Sequence, residues 1–359
     1  MPFIRLLFSL TLAVVLLAQP GCGSLGPRTI PKDRLDYGDS IDKSWKQQTL
    51  LNIIKMRYME NPFFIDIGQV VGSYTIETSA GAGFQGYFDS APSDYGNLGI
   101  NGKWTDRPTI TYVPLTGSRF SASLMTPIKP ASLFSAIQAG WPADLVLLLS
   151  ADSINGLQNE HIDANQQITA NPKFMEVAKI MRDLQLSRQV AFHVRESQQD
   201  HHEMLLTTYA HPITQRNSAE VQHLKDLLQL EHNQNAYSLK YGSFATGNEE
   251  IVILSRPMLH ILSALSLHVM VPESHIEEGR VLEGYSDSAP IKSAINFWIH
   301  SSKHKPSDTY SAVFYRDHWF WIDDKDIDSK RIFSLISMMF TIGQSSSDGN
   351  SPVLTIPTS

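Results

Sequence analysis

Four aspartates near the carboxyl end form the densest group of side chains that could bind a cation: Asp323, Asp324, Asp326 and Asp328. Counted from Asp324, their spacing imitates the first positions of a calcium-binding EF-hand loop. The match then fails, because the sixth position is Ser329 and the twelfth is Leu335, where the loop needs glycine and glutamate. We predict that these carboxylates cap a following helix. Cation binding by Asp324, Asp326 and Asp328 is the alternative.

Histidines form a second candidate group: His193, His201, His202, His211, His223 and His232. A metal site needs ligands that converge in space, and adjacent residues such as His201 and His202 diverge in regular structure. His300 and His304 have helical spacing, but residues 295–299 resemble a strand. We predict solvated histidines around a polar loop and no metal site.

Other catalytic and cofactor motifs are absent or incomplete. Gly81, Gly83 and Gly86 match GxGxxG, but the residues that follow are poor helix starters, so we predict glycine-rich strands or a loop and no nucleotide cofactor. The chain contains no GxSxG or HExxH motif. The catalytic residues, if the protein is an enzyme, are therefore unknown.

Two tryptophans could bind a flat ligand. Trp319 and Trp321 are two residues apart on a predicted strand and so share one face, while Phe320 and Ile322 share the other. We predict that the pair packs in the core. Stacking on a sugar ring is the alternative.

The amino-terminal residues predict export and lipidation. Arg5 precedes an apolar run at residues 6–18, shorter than the roughly 20 residues that span a bilayer, so we predict a signal segment over residues 1–21. Cys22 is the only cysteine, and with Gly21 it fits the acylation site of a bacterial lipoprotein. Gln19 and Pro20 depart from the usual pattern. The alternative is a secreted protein with one free thiol.

Composition indicates a folded protein without strong charge bias. The 359 residues are 42% hydrophobic and 18% charged, and the formal net charge is −7. The chain has no basic run with interleaved aromatic residues, which argues against nucleic-acid binding. With a single cysteine, the domain must fold without internal disulfides.

The order of predicted elements indicates the α+β class. A helix is predicted over residues 40–59, with its second half buried on several sides, and Pro62 is predicted to break it. β-Hairpins followed by helices are predicted near residues 99–113, 237–254 and 310–322, which suggests a three-fold repeat around a helical middle segment. Further helices are predicted over residues 143–157 and 256–271, the second of them capped by Ser255. We predict a tether at residues 22–34, one domain over 35–343 that is divisible near 200–217, and a flexible tail at 344–359.

Several segments together resemble a family of uncharacterised bacterial envelope lipoproteins. They are Asp36–Tyr37, Ser44–Gln48, Leu50–Asn52, Ser153–Leu157, His318–Asp324 and Ser329–Arg331. The resemblance spans nearly the whole mature chain. It implies a location and a shared fold, but no catalytic residue.

The anchor and the absence of a catalytic signature predict a non-enzymatic envelope protein that binds another envelope component. An envelope hydrolase or cation-dependent enzyme, and a small-ligand or carbohydrate-binding protein, are the alternatives. Gly23 and Ser24 replace the aspartate of an inner-membrane retention signal, so we predict the outer membrane, with the protein facing the periplasm.

Overall fold

The computed structural model describes residues 26–72, 74–85, 95–162, 168–188, 190–196, 202–208, 215–234, 236–282, 284–285 and 295–344. The predicted signal segment, Cys22 and the tail beyond Gln344 lie outside the described residues. The predicted division near residues 200–217 is not tested, because much of that stretch is also outside them.

Helices and mainly antiparallel strands make up the described residues, which confirms the α+β class. The helices are α1 (Gly26–Arg57), α2 (Gly117–Phe120), α3 (Pro130–Gln138), α4 (Ala143–Ser150), α5 (Pro172–Leu186), α6 (Gln215–Leu227), α7 (Met258–Ser266), α8 (Glu273–Glu277) and α9 (Ile327–Gln344). A π-helical turn, Ser121–Met125, continues α2.

The strands are β1 (Ile65–Val71), β2 (Tyr74–Gln85), β3 (Tyr95–Asp106), β4 (Thr109–Pro114), β5 (Ala151–Ile154), β6 (Leu157–Gln158), β7 (Glu160–Ile162), β8 (Ile168–Ala170), β9 (Val190–Glu196), β10 (His202–Thr208), β11 (Ala236–Tyr241), β12 (Glu250–Ser255), β13 (His300–Ser302), β14 (Thr309–Tyr315) and β15 (His318–Asp323). A six-stranded sheet has the order β6-β5-β12-β11-β10-β9, and a three-stranded sheet has the order β13-β15-β14.

The chain divides into two compact units. One comprises residues 1–44 and 67–113, and the other comprises residues 45–66 and 114–359. In the described part of the first unit, β1 pairs with β4 and β2 pairs with β3. The second unit contains the six-stranded and three-stranded sheets and the helices packed on them.

Helix α1 confirms the burial predicted for its second half but begins earlier than predicted. Leu50, Ile53 and Ile54 are fully buried. The Trp45 ring packs edge-on against Phe333 and Phe340 of α9, at centroid distances of 6.2 and 5.7 Å. The helix begins at Gly26, so most of the segment predicted as an irregular tether is helical. Its function as a tether stays a prediction.

The second predicted hairpin is wrong, because β11 and β12 are parallel. Residues 242–249 return the chain to the starting end of β11, so that Ser238 pairs with Glu250 and Tyr241 with Ile253. The Glu250 carboxylate stabilises this connection between β11 and β12. It accepts hydrogen bonds from Thr246 N and Oγ1, at 2.6 and 2.7 Å, and it also pairs with Lys240.

The predicted three-fold repeat is not confirmed. The first hairpin is wrong, because β3 pairs with β2 and β4 pairs with β1. The third is as predicted: β14 and β15 are antiparallel, joined at Arg316 and Asp317, whose φ values of 48° and 62° suit a tight hairpin turn. Only this unit has the predicted order of hairpin and helix.

Two helices are shorter than predicted. The helix predicted over residues 143–157 ends at Ser150, and β5 follows up to a turn at Asn155 and Gly156, where φ is +47° and +82°. The helix predicted from residue 256 begins at Met258. Ser255 does not cap it, because its hydroxyl donates to the Ile128 carbonyl.

Candidate functional site: an apolar groove at the end of helix α1

Helix α1 ends in a turn that exposes apolar side chains. Met59 has a φ of +59°, and Glu60 N donates to Lys55 O at 2.9 Å, which is the Schellman pattern of a helix end. Asn52 then holds the departing chain, because its side chain bonds both the N–H and the carbonyl of Phe63 at 2.9 Å. As a result, Met59 is 72% exposed and Phe63 is 47% exposed.

A π-helical turn supplies further apolar side chains near this helix end. Leu115 N donates to Phe64 O at 2.9 Å, which places the segment before α2 beside the exit of α1. The turn then closes with Thr126 N donating to Ser121 O at 3.1 Å, and Met125 is 54% exposed. Such turns are frequent at functional sites.

Together with α7, these segments enclose a groove of about 940 Å³. We call it the methionine groove. Its lining is Met56, Met59, Glu60, Asn61, Pro62, Phe63, Leu115, Thr116, Gly117, Phe120, Met125, Pro257, Leu259, His260 and Ser263. Its size is near the upper end of the range for ligand pockets, and flexible methionine side chains adapt to differently shaped apolar partners.

The two ionisable groups in this lining carry no uncompensated charge at neutral pH. Burial, with a smaller contribution from Arg256, lowers the pKa of His260, so this imidazole is neutral. Hydrogen bonds from Arg316 and Tyr315 lower the pKa of Glu60. Arg316 Nη2 lies 2.8 Å from Glu60 Oε1 and balances its charge.

A buried aromatic and polar network supports the end of α1. Tyr58 Oη and His275 Nδ1 are 2.6 Å apart, and the His275 ring packs edge-on against His318. The Arg316 guanidinium lies 4.7 Å from the centre of the Tyr58 ring. Burial raises the pKa of Tyr58 to about 12 and lowers that of His275, so both groups are neutral at pH 7. The network therefore positions α1 against β14, β15 and α8.

The acidic segment has the predicted capping geometry. Asp326 accepts hydrogen bonds from Ser329 N at 3.0 Å and Ser329 Oγ at 2.6 Å, within the first turn of α9. Asp324 pairs with Lys330 at 2.8 Å, and Asp328 accepts from Asn296 Nδ2 at 3.0 Å. Within the described ranges, no group of three or more His, Cys, Asp or Glu residues is arranged to hold a metal ion.

The candidate histidines that are described with side chains form no group of three or more that could hold a metal ion. His223 pairs with Glu176, and His232 pairs with Asp226, each at 2.9 Å. The His300 ring packs against Trp321, and His304 is exposed. His201 and His211 lie outside the described residues, and His193 and His202 are described only as backbone positions in β9 and β10.

The predicted alternation in β15 is confirmed, but the tryptophans are not in the core. Phe320 and Ile322 are fully buried, while Trp319 and Trp321 are half-buried on the other face. Phe314 packs against Trp319 and is itself 55% exposed. These rings form an aromatic face on the three-stranded sheet.

Glycines 81 and 83 lie within strand β2, as predicted for glycine-rich strands, and Gly86 is outside the described residues. A second pocket, of about 810 Å³ between α4, α5 and α6, is lined by carboxylates that include Asp144 and Glu176. Asp144 is partly exposed.

The sequence did not identify the methionine groove, because its walls come from residues 56–63, 115–125 and 257–263, which are far apart in the chain. The one available signal was the break at Pro62.

Among the described helices, none combines the length and apolar character needed to cross a membrane. No protein-family model, no curated protein and no solved structure matches the sequence.

Proposed function

We propose that this chain is a lipid-anchored envelope protein with a non-enzymatic role, and that its methionine groove binds an apolar segment of another envelope protein. The groove itself carries the proposal. Met59, Phe63 and Met125 leave large apolar surfaces in water around one concave site. Covering such side chains contributes about 1.5–3 kcal/mol each before the costs of association are subtracted.

The lining favours a peptide over a lipid or another charged amphiphile. It contains no lysine or arginine, so it offers no cation for a phosphate or carboxylate head group. Asn61, Thr116 and Ser263 instead provide neutral hydrogen-bonding groups, which suit the backbone of a peptide. The three methionines accommodate side chains of different shapes.

The proposed anchor and location rest on the signal segment, on Cys22 and on the resemblance to envelope lipoproteins. These features support periplasmic exposure of the folded domain and attachment to a membrane, with the outer membrane as the proposed site. A partner within the envelope follows from that location.

Photo-crosslinking in intact cells tests the groove. We expect a crosslinking amino acid at Met59 or Met125 to capture one discrete envelope protein, whereas the same amino acid at Met175, 40% exposed on α5, does not. The purified partner should then bind the parent chain and Met175→Lys equally, and Met125→Lys at least tenfold more weakly. Equal binding by both variants, or no crosslink from either groove position, would contradict the proposal.

Carbohydrate binding is the second candidate, and the aromatic face of Phe314, Trp319 and Trp321 favours it. Rings exposed in this way stack on sugars, and Lys305 lies 5.2 Å from the Trp319 ring. Binding of envelope glycan fragments that is lost in Phe314→Ser and retained in Met125→Lys would support this candidate.

A further inference from the structure

Strands β2 and β3 form a long two-stranded ribbon. Each strand has 12 residues, and the pairing runs without interruption from Tyr74 opposite Asp106 to Gln85 opposite Tyr95. At about 3.4 Å per residue, the ribbon is about 40 Å long. Among the described residues, these two strands pair only with each other.

The register divides the ribbon into two faces of different composition. Cross-strand partners share a face, and successive residues alternate between faces. One face therefore carries Ile76, Ala80, Phe84, Leu98, Ile100 and Trp104. The other carries Glu77, Ser79, Asn97, Asn101, Lys103 and Thr105. The ribbon is amphipathic from Ile76 and Trp104 towards its other end, and the apolar face ends at Tyr74 and Asp106.

A ribbon of this kind needs a covering surface. Isolated two-stranded sheets are at best marginally stable in water, and contiguous apolar patches mark interaction sites. Strand β4, which follows β3 in the chain, is exposed: Ile110 is 37% exposed and Tyr112 is 62% exposed.

The composition favours lipid as the covering surface. The charged residues of the two strands are Glu77, Lys103 and Asp106. Glu77 and Lys103 are cross-strand partners on the polar face, whereas Asp106 lies on the apolar face at the end of the ribbon, opposite Tyr74. Aromatic residues lie near both ends of the apolar face, at Phe84 and Trp104, with aliphatic residues between them. This distribution is typical of segments that lie at the interface between hydrocarbon and water.

We infer that the β2–β3 ribbon binds a lipid bilayer through its apolar face. The inference does not depend on acylation of Cys22, because the apolar face itself supplies the affinity. The edge N–H and C=O groups require partners, which interfacial water supplies when the ribbon lies at the membrane surface.

Single cysteines along the ribbon test the inference directly. The mature chain with Cys22→Ser has no cysteine, so one probe can be placed at a time. We choose Ile76→Cys, Ala80→Cys, Leu98→Cys and Ile100→Cys on the apolar face, and Glu77→Cys, Ser79→Cys, Asn97→Cys and Asn101→Cys on the polar face. Each is labelled with a polarity-sensitive fluorophore and mixed with vesicles of phosphatidylcholine and phosphatidylglycerol.

The expected result has a period of two residues. Vesicles should increase the emission severalfold at the apolar-face positions, and nitroxide-labelled lipid should quench it there but not at the polar-face positions. Equal quenching on both faces, or no vesicle-dependent change, would overturn the inference. An emission increase that lipid-borne nitroxide does not quench would also overturn it, because it would indicate association between copies.

A pair of matched variants gives an independent measurement in vesicle flotation. Leu98→Asn with Ile100→Asn places two amides on the apolar face, and Thr75→Asn with Ser79→Asn places two on the polar face. We expect at least a tenfold loss of vesicle binding in the first variant and no loss in the second. Equal binding by both would refute the inference. If the first variant does not fold, the labelled cysteines decide the question.

Discussion

His268 shows how burial of one residue makes stability depend on pH. The side chain is 2% exposed and packs against the rings of Tyr285, Phe297 and Trp298, at centroid distances of 4.7, 6.1 and 5.5 Å. Burial lowers its pKa to about 4, from an ordinary value of 6.5. Between these values the unfolded chain binds a proton that the folded chain does not, so acidification favours unfolding.

We therefore expect His268 to reduce the free energy of unfolding by about 2 kcal/mol between pH 7 and pH 5. His268→Phe retains a ring and removes the titrating group, so this variant should lose that part of the pH dependence. Urea unfolding at both pH values measures the difference, and His304→Phe at an exposed position is the control. If the free energy of unfolding of His268→Phe changed between pH 7 and pH 5 as much as that of the parent protein, His268 would not be the cause of the pH dependence.

Glu250 has the opposite pH dependence. Hydrogen bonds from Lys240 and Thr246 lower its pKa to about 2, from an ordinary value of 4.5. Its stabilisation is therefore present above pH 4.5 and is lost as the pH falls towards 2. We expect Glu250→Gln to lower the free energy of unfolding by about 2 kcal/mol at pH 7, and by less at pH 3.

Urea unfolding at both pH values tests this expectation, with Glu277→Gln, at an exposed carboxylate on α8, as the matched control. The control should change the free energy of unfolding by less than about 0.5 kcal/mol. The same loss in Glu250→Gln at pH 7 and pH 3 would show that charge is not the cause.

At the scale of elements, substitutions in the cap of α9 distinguish a structural role of Asp324 and Asp326 from cation binding. Asp326 accepts two hydrogen bonds from Ser329, and Asp324 pairs with Lys330. Asp324→Ala combined with Asp326→Ala should lower stability by about 1–2 kcal/mol, through loss of the cap. Calcium should shift the melting temperature of neither the parent protein nor the variant. A calcium-dependent shift in the parent that disappears in the variant would instead support a cation site.

Local chemistry explains which elements the sequence predicts correctly. The β14–β15 hairpin is predictable because two short alternating segments flank two residues, Arg316 and Asp317. Strand β11 alternates in a similar way, whereas β12 is a continuous apolar run that is buried on both faces, and the two strands are parallel. Alternation does not distinguish a parallel from an antiparallel partner. The connection between β11 and β12 depends on a hydrogen bond from Thr246 to Glu250, which a hydrophobic pattern does not encode.

The methionine groove is formed by three segments that are far apart in the chain, so patterns within any one segment do not reveal it. Its exposed side chains include Met59 and Met125, which no local periodicity connects. The sequence did predict the burial of α1 and its break at Pro62, since both are local. Contacts such as Asn52 with Phe63 convert that break into one wall of a site.

At the scale of the whole molecule, the proposed anchor and the proposed membrane contact of the ribbon would be two separable attachments. We expect the parent protein to incorporate an alkyne-labelled fatty acid in cells, and Cys22→Ser to incorporate none, because Cys22 is the only thiol in the chain. Absence of label in the parent would refute lipidation. Fractionation alone does not decide this, because the ribbon is expected to retain part of the Cys22→Ser protein on membranes.

Combining the changes separates the two attachments. Cys22→Ser with Leu98→Asn and Ile100→Asn should move the protein to the fraction without membranes, whereas Cys22→Ser with Thr75→Asn and Ser79→Asn should behave as Cys22→Ser alone. If Cys22→Ser alone already releases all of the protein, the anchor is sufficient and the ribbon does not hold the chain on membranes in cells. If the combined ribbon variant remains bound after signal cleavage is verified, a third attachment exists and the ribbon is not the second one.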